Sequence, residues 1–399
     1  MPYRFSDEQR RLRETLRSFA REEVIPGAAE RDRTGTYPAE LVARLADLGL
    51  MGITIPEEYG GLGLDTPTQL VAIEEVAYGD AALASIYTGH YLGMEGFLLH
   101  GSEEQKRRYL APLASGERLA GFALTEPEAG SDVASIRTEA RRARDRWVLR
   151  GSKVFISNAR EAGLLMAFAK TDLGAGLDGI SAFAVSTDSA GISFSPPQDK
   201  LGIRSAPTYE IRLEDVTIER SALIGGEGKG GRIALEVLNR ARIDIAAMAN
   251  GIAMRALQLA ADYAAERRQF GRPIRDFQAI QLLLAEMDVA VETGRLAAYR
   301  AAELKDDGSD IRRDASIAKY VATENCFACV DRAMQIHGGY ATCARARSSA
   351  STVTAASCAS TKERRRSSCS PSPGYWHGDA TRAARWCDCN ERLFVSRVS

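Results

Sequence analysis

The chain has 399 residues, enough for two or three packed units around substantial cores. A formal net charge of −1 leaves no global field to draw it to nucleic acid or anionic lipid. No stretch approaches ~18 consecutive apolar residues, which excludes a membrane-spanning helix. The start, Met1-Pro2-Tyr3-Arg4-Phe5-Ser6-Asp7-Glu8, lacks the apolar core of a signal peptide, so a cytoplasmic location is the expectation.

Ser6 and Gln9 stand at capping-box spacing. Leu12, Leu16, Phe19 and Val24 then form one helical stripe, which Pro26 is expected to stop. A short helix carries Leu41, Leu45 and Leu48, with Gly49 placed to end it. Pro56 to Gly63 reads as loop. Thr66-Pro67 opens another helix, with proline where its missing N–H costs little. An apolar helix follows through His100, and Ser102 with Gln105 caps one more. Residues 1–120 therefore read as a helical domain.

Near Gly121 the period changes. Segments 121–124, 147–150, 164–170, 180–186 and 209–213 are short, turn-bounded and rich in β-branched or aromatic residues. They predict a mostly antiparallel β-domain over 121–230. Helical period returns in three long Ala/Leu-rich runs, about 232–267, 277–306 and 311–335, each too long to be stable unpacked. They predict an antiparallel bundle over 231–340 that lacks a fourth helix. The fold class is thus α+β, with a helical domain on either side of a β-domain.

From Ala341 onward the composition turns to Ser, Arg, Ala and Cys. Residues 341–399 contain one leucine, Leu393, no isoleucine, and five of the seven cysteines. No helical or strand period runs through them, and they cannot bury enough apolar surface to offset their ordering entropy. The abrupt change resembles translation in another reading frame; a disordered tail is the alternative.

Two phosphate-type motifs fail on context. Gly174-Ala175-Gly176-Leu177-Asp178-Gly179 fits G-x-G-x-x-G, but a strand-like segment follows where a dinucleotide fold needs a helix. Around Lys229, Gly230 stands where a P-loop needs Ser or Thr. Cys326 and Cys329 lie within a helix without a second ligand pair, so core packing is the reading and no metal is expected.

The informative segment is Phe122-Ala123-Leu124-Thr125-Glu126-Pro127-Glu128-Ala129-Gly130-Ser131-Asp132, a strand running into a turn with hydroxyls free to face a ligand. Thirty residues later comes Lys153-Val154-Phe155-Ile156-Ser157-Asn158. In this order the two resemble the T-E-P-x-A-G-S-D and [WF]-I-[ST]-N segments of the acyl-CoA dehydrogenase family. Pro56 to Gly63, Leu201 to Ser205, Glu266 to Gly271 with Phe277-Gln278, and Gln335 to Tyr340 match further family segments in order. The resemblance covers residues 1–340.

The resemblance implies an FAD enzyme that converts an acyl-CoA thioester to the trans-2-enoyl-CoA and passes electrons to an electron-transfer flavoprotein. It implies that Phe122, Leu124, Thr125, Gly130, Phe155, Ile156 and Ser157 line the isoalloxazine, with Thr125 and Ser157 bonding its polar edge. Ser131, on the same turn, would also touch the CoA part of the substrate, which Asn239 and Arg242 would meet from the bundle. Arg267, Phe270 and Gln278 would hold the FAD pyrophosphate and adenosine. Gln335, Gly338 and Gly339 would reach the FAD of a neighbouring subunit, so a homo-oligomer, commonly a tetramer, is implied.

The catalytic residue remains unassigned. The reaction needs a base for the α-proton, and a carboxylate suits when burial raises its pKa. Most of the family carries that glutamate in a Y-E-G-T segment beyond Q-x-x-G-G, and nothing here matches it. Other members carry it just before the arginine matched by Arg242, where this chain has Ala241. Impaired turnover is the expectation. The alternatives are a flavin oxidase or monooxygenase on the same fold, and a non-catalytic FAD- or CoA-binding protein.

Overall fold

A computed structural model describes residues 5–342. The composition break after Tyr340 and the segment where Y-E-G-T was sought therefore lie almost wholly outside the described residues.

The N-terminal part is helical: α1 (Asp7–Phe19), α2 (Ile25–Thr34), α3 (Ala39–Asp47), α4 (Thr66–Gly79), α5 (Ala81–His100) and α6 (Glu103–Ala114). Ser6 and Ser102 both form the capping boxes that their spacing predicts. Pro26 does not stop the first helix. A π-helical turn at Ala20–Val24 passes the chain into α2, and Pro26 sits in the first turn of that helix, where no N–H is needed. Gly35, at φ +69°, ends it instead.

The middle part is one eight-stranded sheet, in the order β6 (Ile192–Phe194), β7 (Thr208–Glu219), β3 (Arg146–Ser157), β2 (Glu139–Ala143), β4 (Leu164–Lys170), β5 (Ile180–Ser186) and β8 (Leu223–Ile224), with β1 (Ala120–Ala123) beside β4. β4 and β5 occupy the predicted residues, whereas β3 and β7 are each 12 residues long and extend well past the predicted pieces. The strands β2, β6 and β8, of five, three and two residues, are too short to carry a readable apolar period and are absent from the sequence reading. β1 runs parallel to β4, while most other neighbours are antiparallel.

The last part holds α7 (Gly230–Glu266), a small hairpin of β9 (Arg268–Gln269) and β10 (Arg272–Pro273), then α8 (Gln278–Asp306) and α9 (Arg312–His337). α4 packs on both α7 and α8 and joins them through one buried carboxylate. Glu74 of α4 accepts from Arg295 at 3.2 Å and Tyr299 at 3.0 Å on α8, and from Asn250 at 3.4 Å on α7. An N-terminal helix thus covers part of the bundle for which a C-terminal partner was sought.

α5 is the hinge between all three parts. A Cβ on Gly93 would lie 2.8 Å from the Ala120 side chain of β1, and one on Gly96 would lie 2.2 Å from the Met166 sulfur of β4. At Gly93 the backbone of β1 is also within 2.9 Å, so only glycine allows that approach. His90, on the same helix, anchors the start of β1: the Ala120 N–H donates to Nδ1 at 3.0 Å, while Nε2 faces the Met51 carbonyl at 3.2 Å.

Candidate functional site

The two informative segments meet at the end of β1. Phe122 packs against Phe168 of β4, with ring centroids 4.8 Å apart and the planes tilted by 56°. Leu124 is buried, Thr125 is half-buried, and the chain then turns back, with Glu126 and Ala129 exchanging backbone hydrogen bonds of 3.0 and 3.1 Å. Gly130 and Ser131 are exposed at this turn. The Val154 N–H of β3 donates to the Thr125 carbonyl at 2.9 Å, which fastens the turn to the second segment.

β3 is irregular there. Its register with β7 slips between Lys153 and Ile156, so one stretch of backbone bulges out of the ladder. Phe155 sits in this bulge at φ +59° with 59% of its surface exposed, while Ile156 beside it is buried. A bulge re-aims a side chain that regular pleating would turn elsewhere. Ser157 follows half-buried, against Gly89 of α5.

This edge fits a flat heteroaromatic ring with polar rims. The hydroxyls of Thr125, Ser131 and Ser157 have no hydrogen-bond partner among the described residues, although Thr125 and Ser157 are half-buried. The exposed face of Phe155 supplies apolar area beside them. Phe122, Leu124, Thr125, Phe155, Ile156 and Ser157 are therefore brought together, with Gly130 and Ser131 on the adjoining turn.

Asn239 and Arg242 stand on the first third of α7, which packs against α5. Arg242 donates to Asn239 Oδ1 at 2.5 Å and to Ser316 Oγ at 3.0 Å. No carboxylate pairs with it among the described residues, and burial pulls its pKa down. A half-buried cation without a counter-ion fits an anionic ligand. Ala241 beside it is buried and carries no acid.

Arg267, Phe270 and Gln278 cluster elsewhere. Arg242 to Glu266 is 24 helical steps, about 36 Å along α7. At that far end the Arg267 guanidinium lies 5.9 Å from the Tyr340 ring, Tyr263 stacks on His337 at 4.5 Å, and Phe270 is 94% exposed. Gln335, Gly338 and Gly339 are exposed at the same end, with Gly338 at φ +59°. Within one chain these six residues are one group, and it is a separate group from the β1–β3 edge.

Sequence reasoning did not single out Lys153 or Glu126. Lys153 is 1% exposed, and its Nζ lies 2.7 Å from Glu126 Oε1 and 3.1 Å from the Leu124 carbonyl. Burial pulls the Lys153 pKa down to about 8 against the opposing pull of Glu126. Burial alone would raise Glu126, but the Lys153 charge and the Arg137 and Thr138 N–H donors hold it below the usual range. Asp244, also unpredicted, is 2% exposed on α7, and burial pushes its carboxyl up to about 7. Its Oδ1 accepts from Gln69 of α4 at 3.4 Å. Lys153 on β3 and Asp244 on α7 occupy core-facing positions of otherwise apolar periods, the one signal that could have marked them.

Cys326 and Cys329 are both buried in α9, and Cys329 Sγ donates to the Met287 carbonyl at 3.5 Å. A cavity of about 370 Å³ lined by Tyr109, Arg118, Arg146 and Glu219 shares no residue with either candidate group. Among the described residues no helix is long and apolar enough to cross a membrane.

A helical domain, a β-domain and a helical bundle in that order, with hydroxyls and an exposed aromatic ring at the end of β1, form the architecture that comparison with known proteins identifies. Three family models match in order: the acyl-CoA dehydrogenase N-terminal domain over residues 6–117, the middle domain over 121–216 and the C-terminal domain over 228–360. The chain belongs to the acyl-CoA dehydrogenase family. The third match runs past Tyr340, where the sequence motifs stop. A 3-(aryl)acrylate reductase of Clostridium sporogenes is 41% identical over 338 residues, 84% of this chain and 89% of that protein. The mitochondrial short-chain specific acyl-CoA dehydrogenase of Bos taurus is 42% identical over 331 residues, 82% of this chain and 80% of that protein. The solved butyryl-CoA dehydrogenase of Megasphaera elsdenii superposes with a TM-score of 0.87 at 35% identity, covering 90% of this chain and 94% of that one.

Proposed function

We propose that this chain binds FAD at the β1–β3 edge and an acyl-CoA thioester beside it, for α,β-dehydrogenation to the trans-2-enoyl-CoA. The observation that carries the reading is the bulge-borne Phe155 near the hydroxyls of Thr125 and Ser157, which have no partner among the described residues. Bound there, FAD would accept the β-hydride. Thr125 and Ser157 would hydrogen-bond the polar rim of the ring and favour negative charge on it. Phe122, Leu124 and Ile156 back the same edge and keep water from it. Gly130 leaves open space at the turn, and Ser131 would meet the CoA moiety. Arg242 would meet its anionic part, with Asn239 holding the guanidinium in place.

The Arg267 group is too far along α7 to reach the same cofactor in one chain. We assign Arg267, Phe270, Gln278, Gln335, Gly338 and Gly339 to the pyrophosphate and adenosine end of an FAD held by a second copy, which makes the working form a homo-oligomer. An electron-transfer flavoprotein is the partner this family reading implies for reoxidation.

The α-proton base is the missing element. Ala241 has no proton acceptor. Asp244 lies one turn beyond Ala241 on the same side of α7, but it is buried and its Oδ1 accepts from Gln69 of α4, so we do not assign it that role. We infer that the chain binds acyl-CoA but turns it over poorly. Anaerobic mixing of the flavin-loaded protein with butyryl- or octanoyl-CoA tests this. A perturbed flavin spectrum without bleaching is expected, and bleaching at ordinary enzymatic rates overturns the inference. Oxygen uptake without another acceptor would instead favour an oxidase.

A further inference from the structure

We propose that Lys153 and Asn158 are positioning residues whose buried polar contacts hold the β3 bulge in the conformation that offers Thr125, Phe155 and Ser157 to the flavin ring. The proposal rests on the flavin reading above.

Phe155 and Asn158 both occupy the left-handed region, at φ +59° and +57°. A bulky non-glycine residue such as Phe155 is strained there and persists only where its surroundings over-determine it. The Phe155 ring is largely exposed and cannot hold its own backbone by burial. The restraint therefore comes from the residues on either side.

On one side, Lys153 reaches the Leu124 carbonyl and Glu126, and Glu126 also accepts from the Arg137 N–H at 2.5 Å and the Thr138 N–H at 3.0 Å. One buried ion pair thus ties β3, the turn after β1, and the chain entering β2. On the other side, Asn158 is 1% exposed and donates through Nδ2 to the Ile86 carbonyl of α5 at 2.9 Å. Among the described residues its Oδ1 is buried without a partner, so the residue makes its one directed bond at a net polar cost. The two restraints enclose Val154 to Ser157.

General stabilisation is the simpler account of a buried ion pair, but such pairs add little net stability compared with apolar residues of similar volume. What apolar residues could not supply is the directed bond to Leu124, one residue before Thr125. A shift of the bulge would move Phe155 and Ser157 together, and both are placed at the ring.

The test uses the full chain and three variants: Lys153→Met with Glu126→Gln, Asn158→Ala, and Asn158→Gly. Glycine accepts the left-handed backbone without strain but loses the bond to Ile86, and it remains informative should the double variant fail to fold. FAD affinity is read by flavin fluorescence, the bound flavin by its visible spectrum, and the turn by amide hydrogen exchange at Arg137, Thr138 and Val154. The expected result is an FAD Kd raised about 10- to 100-fold in each variant, the loss of one or two hydrogen bonds to the ring. The spectrum should shift towards that of free flavin, with faster exchange at the three amides in the double variant. If the parent binds FAD and the variants match it within about twofold with an unchanged spectrum, the positioning role is refuted. If the parent itself takes up no FAD, the flavin reading fails first and the proposal falls with it.

Discussion

His90 Nδ1 accepts the Ala120 N–H across 3.0 Å, which fixes the neutral imidazole tautomer at the junction of α5 and β1. Nε2 must then carry the proton and donate to the Met51 carbonyl. Burial pulls the His90 pKa down to about 4, because a cation there would lose its hydration. Its ring resonances should stay fixed from about pH 7 to pH 5 and move only near pH 4. Titration near its ordinary value of about 6.5 would show that the site admits the cation. With a folded pKa below the unfolded one, His90 contributes stability that is present at neutral pH and lost as the pH falls from about 6.5 towards 4.

Asp244 acts with the opposite sign over nearly the same range. Its folded pKa is raised to about 7 from an ordinary 3.8, so the native state binds the extra proton and stability falls as the pH rises through that window. Asp244→Asn removes the term. Compared with the parent by urea unfolding, the variant should gain on the order of 4 kcal/mol between about pH 4 and pH 7.5. A gap that stays constant with pH would mean that Asp244 is not protonated in the fold.

Among the described residues, Arg242 is a half-buried cation held by neutral oxygens alone. Arg242→Met should leave thermal stability unchanged or raised, since no ion pair is lost. Binding of a CoA thioester should weaken about tenfold or more, as for a lost charge-assisted hydrogen bond. Calorimetric titration with acyl-CoA measures this, and unaltered affinity would remove Arg242 from the substrate site.

Arg295 presents the reverse case. Arg295→Met leaves Glu74 buried beside Tyr299 without its cation. Loss of about 3–5 kcal/mol of stability is expected, while the double change with Glu74→Leu should recover most of it. Equal stability of parent and single variant would show that Glu74 is already neutral.

The helices were legible because their apolar stripes and caps are local. Ser6, Ser102 and Gly49 mark ends that the fold uses. Pro26 misled, since a π-turn lets a helix restart around a proline and only the packing of Ala20 and Val24 reveals it. In the β-domain, β4 and β5 were readable from unbroken apolar runs, whereas β2, with four charged residues or alanines exposed or marginal, is defined by pairing with β3. The residues we propose to face the flavin are named by resemblance alone, whereas the ion pair beside the Phe155 bulge joins Lys153 to Glu126 across 27 positions of sequence. No local pattern carries such a contact.

The most direct test of the account is a titration of the purified, flavin-free chain with FAD, followed by visible absorption. The account predicts saturable uptake of about one flavin per chain, a resolved protein-bound spectrum, and loss of that uptake when Thr125 and Ser157 are both replaced by alanine. A chain that stays colourless, or a double variant that takes up FAD as tightly as the parent, would contradict it.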